Sequence, residues 1–178
     1  MPNTSHSSAG TRSNTRANRS SPTSSARQAR SVDAIALLKA DHREVEDWFK
    51  QFEKAQSSAR KAELAQKICQ ALRIHTTIEE EIFYPAFLEA TANTDMHHEA
   101  EVEHAGAKNL IRQIEAIGPD DDYFDAKVTV LAEAIKHHVK EEEQRGGMFA
   151  EARQAGMDLK ALGARMQSRK DQLAKARS

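Results

Sequence analysis

The chain has 178 residues, 30% of them charged and 39% hydrophobic, with 26 Lys and Arg against 27 Asp and Glu for a net charge of −1. That length suits one domain with a proper core, and the absence of an apolar run long enough to cross a bilayer excludes a membrane-spanning protein. The lone Cys69 excludes an internal disulfide and fits a reducing compartment, so cytoplasm is the default location.

The near-neutral total hides an asymmetry. Residues 1–30 hold eight Ser, four Thr, three Asn and five Arg with no Asp or Glu. Such a stretch buries too little surface to offset the entropy of ordering, so it is expected to be a disordered basic tail. It also lacks the apolar middle region of a secretory signal. Removing its five arginines leaves 21 basic against 27 acidic residues in the body.

Helical spacing recurs through the body, and no segment alternates like a half-buried strand. The first helix is predicted over Val32 to Lys54, with Ser31 as N-cap and a stripe of Ile35, Leu38, His42, Val45, Phe49 and Phe52. Ser58 is expected to cap the second, which carries Leu64, Ile68, Leu72, His75, Glu79, Ile82 and Phe83. Pro85 should kink or break it, because proline lacks the N–H and clashes with the preceding turn. Thr94 or Asp95 opens the third helix, with Ala100, His104, Ala107, Ile111 and Ile114 on its stripe and Gly118-Pro119 ending it. Asp120 to Asp122 precede the fourth, where the macrodipole favours negative charge. Its stripe is Val128, Leu131, Ile135, His138, Glu142 and Phe149, loosened near Gly146-Gly147. Gly156 then stops the chain's helical run, and Asp158 caps a shorter helix ending near Leu173. The expected architecture is all-α: an up-down-up-down four-helix bundle over residues 31–156, with a short C-terminal helix and tail over 157–178.

Each of the four helices places one histidine on its apolar stripe: His42, His75, His104 and His138. Two of these are followed four residues on by Glu79 and Glu142, and residues four apart share a helix face. A buried carboxylate needs compensation. Lys108 and Arg145 are candidates, but divalent cations would neutralise both carboxylates and satisfy the imidazoles too. Mixed imidazole and carboxylate ligation suits iron, manganese, zinc or copper. Six side chains exceed one tetrahedral zinc, and two bridging carboxylates favour a dinuclear centre, in bundles usually iron. The ferritin-like pattern fails, since Glu-x-x-His spacing occurs only from Glu101 to His104.

The order His, His-x-x-x-Glu, His, His-x-x-x-Glu resembles the hemerythrin-like, HHE cation-binding family. Asp41-His42, the string His75 to Pro85 (HTTIEEEIFYP), Val102-Glu103-His104 with Lys108 to Ile111, and His138 to Glu143 carry the resemblance. It implies a bundle around a non-haem di-iron centre of two iron ions. His42 and His75 would serve one iron, His104 and His138 the other, with Glu79 and Glu142 bridging. It also implies binding of a small diatomic ligand such as dioxygen or nitric oxide. Oxygen carriers of the family have a further histidine one turn after the third-helix ligand, where this chain has Lys108. Glu46, Glu101, Glu103 or a tyrosine would replace it, Glu46 first because it repeats the one-turn spacing from His42.

The expected function is a metal- and oxygen-binding protein that binds or senses dioxygen, nitric oxide, peroxide or iron. A di-iron peroxidase or nitric oxide scavenger is the competing enzyme reading. A structural bundle whose basic tail contacts acidic partners is the third, although five arginines give at most modest, salt-dependent nucleic-acid affinity. His97, His98 and His137 are expected on the surface. Glu80, Glu81, Glu141 and Glu143 are expected on a solvated face or as partners of imidazole N–H groups. No role is assigned to Trp48 or Tyr84, and oligomeric state is open.

Overall fold

The computed structural model describes residues 2–3 and 33–176, and every regular element among them is helical. The expectation for the tail over residues 1–30 falls, apart from positions 2 and 3, outside the described residues. Helix α1 runs Ala34–Lys54, capped by Asp33, whose Oδ1 accepts from the Ala36 N–H at 2.8 Å, rather than by Ser31. Helix α2 spans Ser58–Ile78 and is capped by Ser57, one residue before the expected Ser58. Both shifts stay within one turn and leave the apolar stripes unchanged.

The expected interruption at Pro85 takes the form of a wider turn. A π-helical turn over Glu79–Phe83 links α2 to α3 (Tyr84–Thr91), which has the proline in its first turn. The Tyr84 N–H reaches back five residues to the Glu79 carbonyl. Widening the turn absorbs the proline's missing donor. Helix α4 covers Thr94–Glu115 with Asn93 as N-cap, and α5 covers Phe124–Glu143. The Gly146-Gly147 pair breaks the fourth helix outright, so Phe149 belongs to a separate short helix α6, Met148–Gln154. Gly146 has φ +84°, and a Cβ on Gly147 would sit 2.2 Å from the Glu141 carbonyl oxygen. Helix α7, Leu159–Lys175, starts as expected from Asp158, whose Oδ1 accepts from the Ala161 N–H at 3.0 Å.

Helices α1, α2, α4 and α5 form the four-helix bundle, and α7 packs across α1, α2 and the π-turn. Two apolar clusters fill it. One gathers Ile35, Leu38, Phe83, Phe87, Phe149 and Met166 at the α6–α7 end. The other gathers Phe49, Phe52, Ile68, Leu72, Ile111 and Leu131 at the far end. Between them lies a polar layer in which His42, His75, His104, His138, Glu79 and Glu142 are all buried.

Candidate metal centre

All six candidate side chains meet in that layer. His42 Nε2 and His75 Nε2 are 3.1 Å apart, and His104 Nε2 and His138 Nε2 are 3.3 Å apart. The carboxylates join the two pairs. Glu79 Oε2 lies 3.1 Å from His75 Nε2 and 3.4 Å from His104 Nε2. Glu142 Oε2 lies 3.4 Å from His42 Nε2 and 3.7 Å from His138 Nε2. Single donor atoms of His42, His75, Glu79 and Glu142 all fall within 4.8 Å of one another, as do those of Glu79, His104 and His138.

Three of the four rings are held from behind. His42 Nδ1 donates to Glu143 Oε1 at 2.8 Å, His104 Nδ1 to Glu80 Oε1 at 2.9 Å, and His138 Nδ1 to Glu103 Oε2 at 2.8 Å. His75 Nδ1 faces Asp41 Oδ2 at 3.6 Å, and Asp41 in turn is held by Lys170 of α7. A carboxylate accepting at Nδ1 fixes the tautomer, so a neutral ring turns its Nε2 lone pair inward. Glu80, Glu103 and Glu143 therefore act as partners of imidazole N–H groups. Glu81 pairs instead with Arg169 of α7 at 2.7 and 2.9 Å, and Glu141 with Gln144.

Without a cation, protons on the imidazoles offset the buried carboxylate charge. Burial and the neighbouring His75 push the His42 imidazole down to about 4. Burial opposes charge on His75 and His104 as well. Glu79 and Asp41 nevertheless raise His75 to about 10, and Glu79 and Glu80 raise His104 to about 9. Burial and the Glu79 charge raise Glu142 to about 8, whereas His75 and His104 overcome burial and hold Glu79 well below the usual carboxylate range. Glu79 is 0% and Glu142 2% exposed, yet both Glu79 oxygens and Glu142 Oε2 are buried without a hydrogen-bond partner. Orphaned buried carboxylate oxygens are rare and call for an explanation. An oxygen-and-imidazole donor set facing inward is the kind that a divalent cation satisfies.

Neither Lys108 nor Arg145 supplies that compensation: Lys108 binds Glu80, and Arg145 is exposed. Among the suggested replacements for the extra histidine, Glu46 is excluded. It pairs with Arg43 and Lys50 on the surface and is 49% exposed at its side chain. Glu101 lies near His97 on the surface, and Glu103 is behind His138. Tyr84, to which the sequence attached no role, is fully buried with its hydroxyl 3.2 Å from His104 Nε2 and 3.4 Å from Glu142 Oε1. The π-turn is what turns it inward, and proline one residue later is the only trace of that turn in the sequence. His97 is half-buried with its ring edge-on to Tyr84, while His98 and His137 are exposed as expected.

Comparison with known proteins agrees with this fold. A crystal structure of a hemerythrin HHE cation binding domain-containing protein from Mycobacterium kansasii superposes with a TM-score of 0.69 at 23% identity, over 82% of this chain and 89% of that one, and so shares its fold. A DNA nickase from Nostoc sp. is 29% identical over 107 residues, which are 60% of this chain but 30% of that protein. The chain thus spans under a third of that relative's length. The hemerythrin HHE cation binding domain matches residues 33–146, which hold the four candidate histidines and the two candidate glutamates, and the chain belongs to that cation-binding family.

Proposed function

We propose that this protein holds a non-haem di-iron centre and uses it to bind or sense a small diatomic ligand such as dioxygen or nitric oxide. His42 and His75 would hold one iron, His104 and His138 the other, with Glu79 and Glu142 spanning them. The observation that carries the reading is the position of Glu79 Oε2 and Glu142 Oε2. Each is buried, lacks a hydrogen bond, and lies within 3.7 Å of one Nε2 from either histidine pair. Iron bound there would supply reversible electron transfer to a small ligand.

The protein's own contribution is orientation and exclusion of water. Glu143, Glu80 and Glu103 lock three imidazoles, and the Phe149 ring stacks on His42 at 5.9 Å. Burial, followed by the Glu79 and Glu142 charges, keeps the proton on the Tyr84 hydroxyl, directed at Glu142 Oε1. Tyr84 stands beside His104 and Glu142, which would make the surroundings of the two irons unequal. DNA nicking stays with the Nostoc protein, most of which lies beyond the shared stretch.

Metal analysis of protein purified without added metal tests this directly, together with ultraviolet–visible spectra after reduction and after air exposure. Two irons per chain and an oxygen-dependent near-ultraviolet band are expected. His75→Ala and Glu142→Ala should abolish both, and retention of full iron by either variant would sink the ligand assignment.

A further inference from the structure

The bundle is closed tightly along the α1/α2 and α4/α5 seams but sparingly where its first and last helices, α1 and α5, meet. There a cleft of about 550 Å³ opens between them. Its floor is formed by Phe49, Ala132, Ile135 and Val139, and its inner wall by His42. Its charged rim is largely self-neutralised, because Glu46 pairs with Arg43 and Lys50, and Glu143 with Lys39 and Arg43. Such a mouth offers little net attraction to an ion and an apolar surface to an uncharged molecule.

Behind the cleft lies a second, far smaller space of about 10 Å³, bounded by His42, His75, His104 and His138 and by the apolar side chains of Val45 and Leu72. That volume holds about one water-sized body. Ile135 and Val139 line both spaces. They are one turn apart on α5, so they form a common apolar partition between the outer cleft and the four imidazoles. Both are only partly buried, and a rotamer change at either needs no movement of the bundle.

We infer that the α1/α5 cleft is the entrance by which an uncharged small ligand reaches the centre, and that Ile135 and Val139 are the gate that selects it by size. This rests on the di-iron reading above. The inner space as it stands takes about one water-sized body, so a diatomic molecule enters only when Ile135 or Val139 turns aside, and a bulkier organic ligand halts in the cleft. Another cavity touching the centre, about 70 Å³ between α4, α5 and α6, reaches Glu142 and His138 past Glu99, Glu103 and Glu141. One sign of charge throughout suits it to a cation rather than to an uncharged ligand.

The test compares iron-loaded wild type with Ile135→Phe, Val139→Phe and Val139→Ala, none of which alters a proposed iron ligand. Iron content is measured first, then the rate of nitric oxide association with the ferrous protein by stopped flow. At unchanged iron content, the two Phe variants should bind nitric oxide about tenfold more slowly and Val139→Ala about threefold faster. Val139→Ala should also admit methyl isocyanide, which the wild type excludes. Since Val139→Ala only removes atoms at a partly exposed site, it preserves the test if a Phe variant folds poorly. Full iron with equal rates in every folded variant would overturn the route alone. Absence of iron from the wild type would overturn the di-iron reading, and the route with it.

Discussion

Removing the bound cation should cost this fold a measurable share of its stability, and the structure sets the size. Three carboxylate oxygens, two on Glu79 and one on Glu142, are buried without hydrogen-bond partners. Each unsatisfied group costs about 1–3 kcal/mol, so a cation that satisfies all three recovers roughly 5 kcal/mol. For a domain of this size 1 kcal/mol corresponds to about 2–4 °C, giving a fall in Tm of about 10–20 °C on chelation. The assay is calorimetry at pH 7 of the purified protein before and after anaerobic chelation, with metal content measured on the same samples. A Glu79→Gln/Glu142→Gln double variant removes the buried charges while nearly keeping their shape, and its Tm should not respond to chelator. An unchanged Tm in demonstrably metal-free wild type would refute the reasoning. It would mean that the raised His75 and His104 imidazolium groups compensate the carboxylates as fully as a cation does.

The metal-free protein should in addition be alkali-sensitive. His75 and His104 are raised to about 10 and 9 from an ordinary 6.5, so their stabilisation is complete below pH 6.5 and is lost as pH rises through 9–10. Tm measured against pH should therefore fall between pH 7 and 10 without metal and stay flatter with it. Glu103→Ala should weaken cation affinity about 10–100-fold by releasing His138, whereas Glu46→Ala should leave it unchanged, as equilibrium titration would report. Gly147→Ala places a methyl group against two main-chain oxygens, at 2.2 and 2.9 Å, and should cost about 2–3 kcal/mol in denaturant unfolding. Gly146→Ala meets only the left-handed backbone penalty of about 1 kcal/mol. Burial raises the Cys69 thiol to about 12, so thiol reagents should not label it until the protein unfolds.

Helical periodicity alone specified the bundle and the membership of its buried layer. A residue repeating at three and four positions must share a face with its neighbours, which is why His42, His75, Glu79, His104, His138 and Glu142 could be grouped from spacing. Capping chemistry is equally local, and Asp158 was legible for that reason. What spacing cannot specify is distance between helices. Only packing decides that Glu79 Oε2 lies between His75 and His104, and that Glu142 Oε2 lies between His42 and His138. Packing also sets Glu46 on the surface, although its one-turn spacing from His42 resembles that of the Glu79 pair. A side chain four residues on shares a face only approximately, and the difference between the centre and the rim of that face depends on the neighbouring helix. Tyr84 turns inward because Pro85 is absorbed by a π-turn, a backbone adjustment that no side-chain pattern announces. The outer carboxylates come from other helices: Glu143 behind His42, Glu80 behind His104, Glu103 behind His138. Their pairing depends on interhelical register, which the chain settles only once its two apolar clusters have closed around the polar layer.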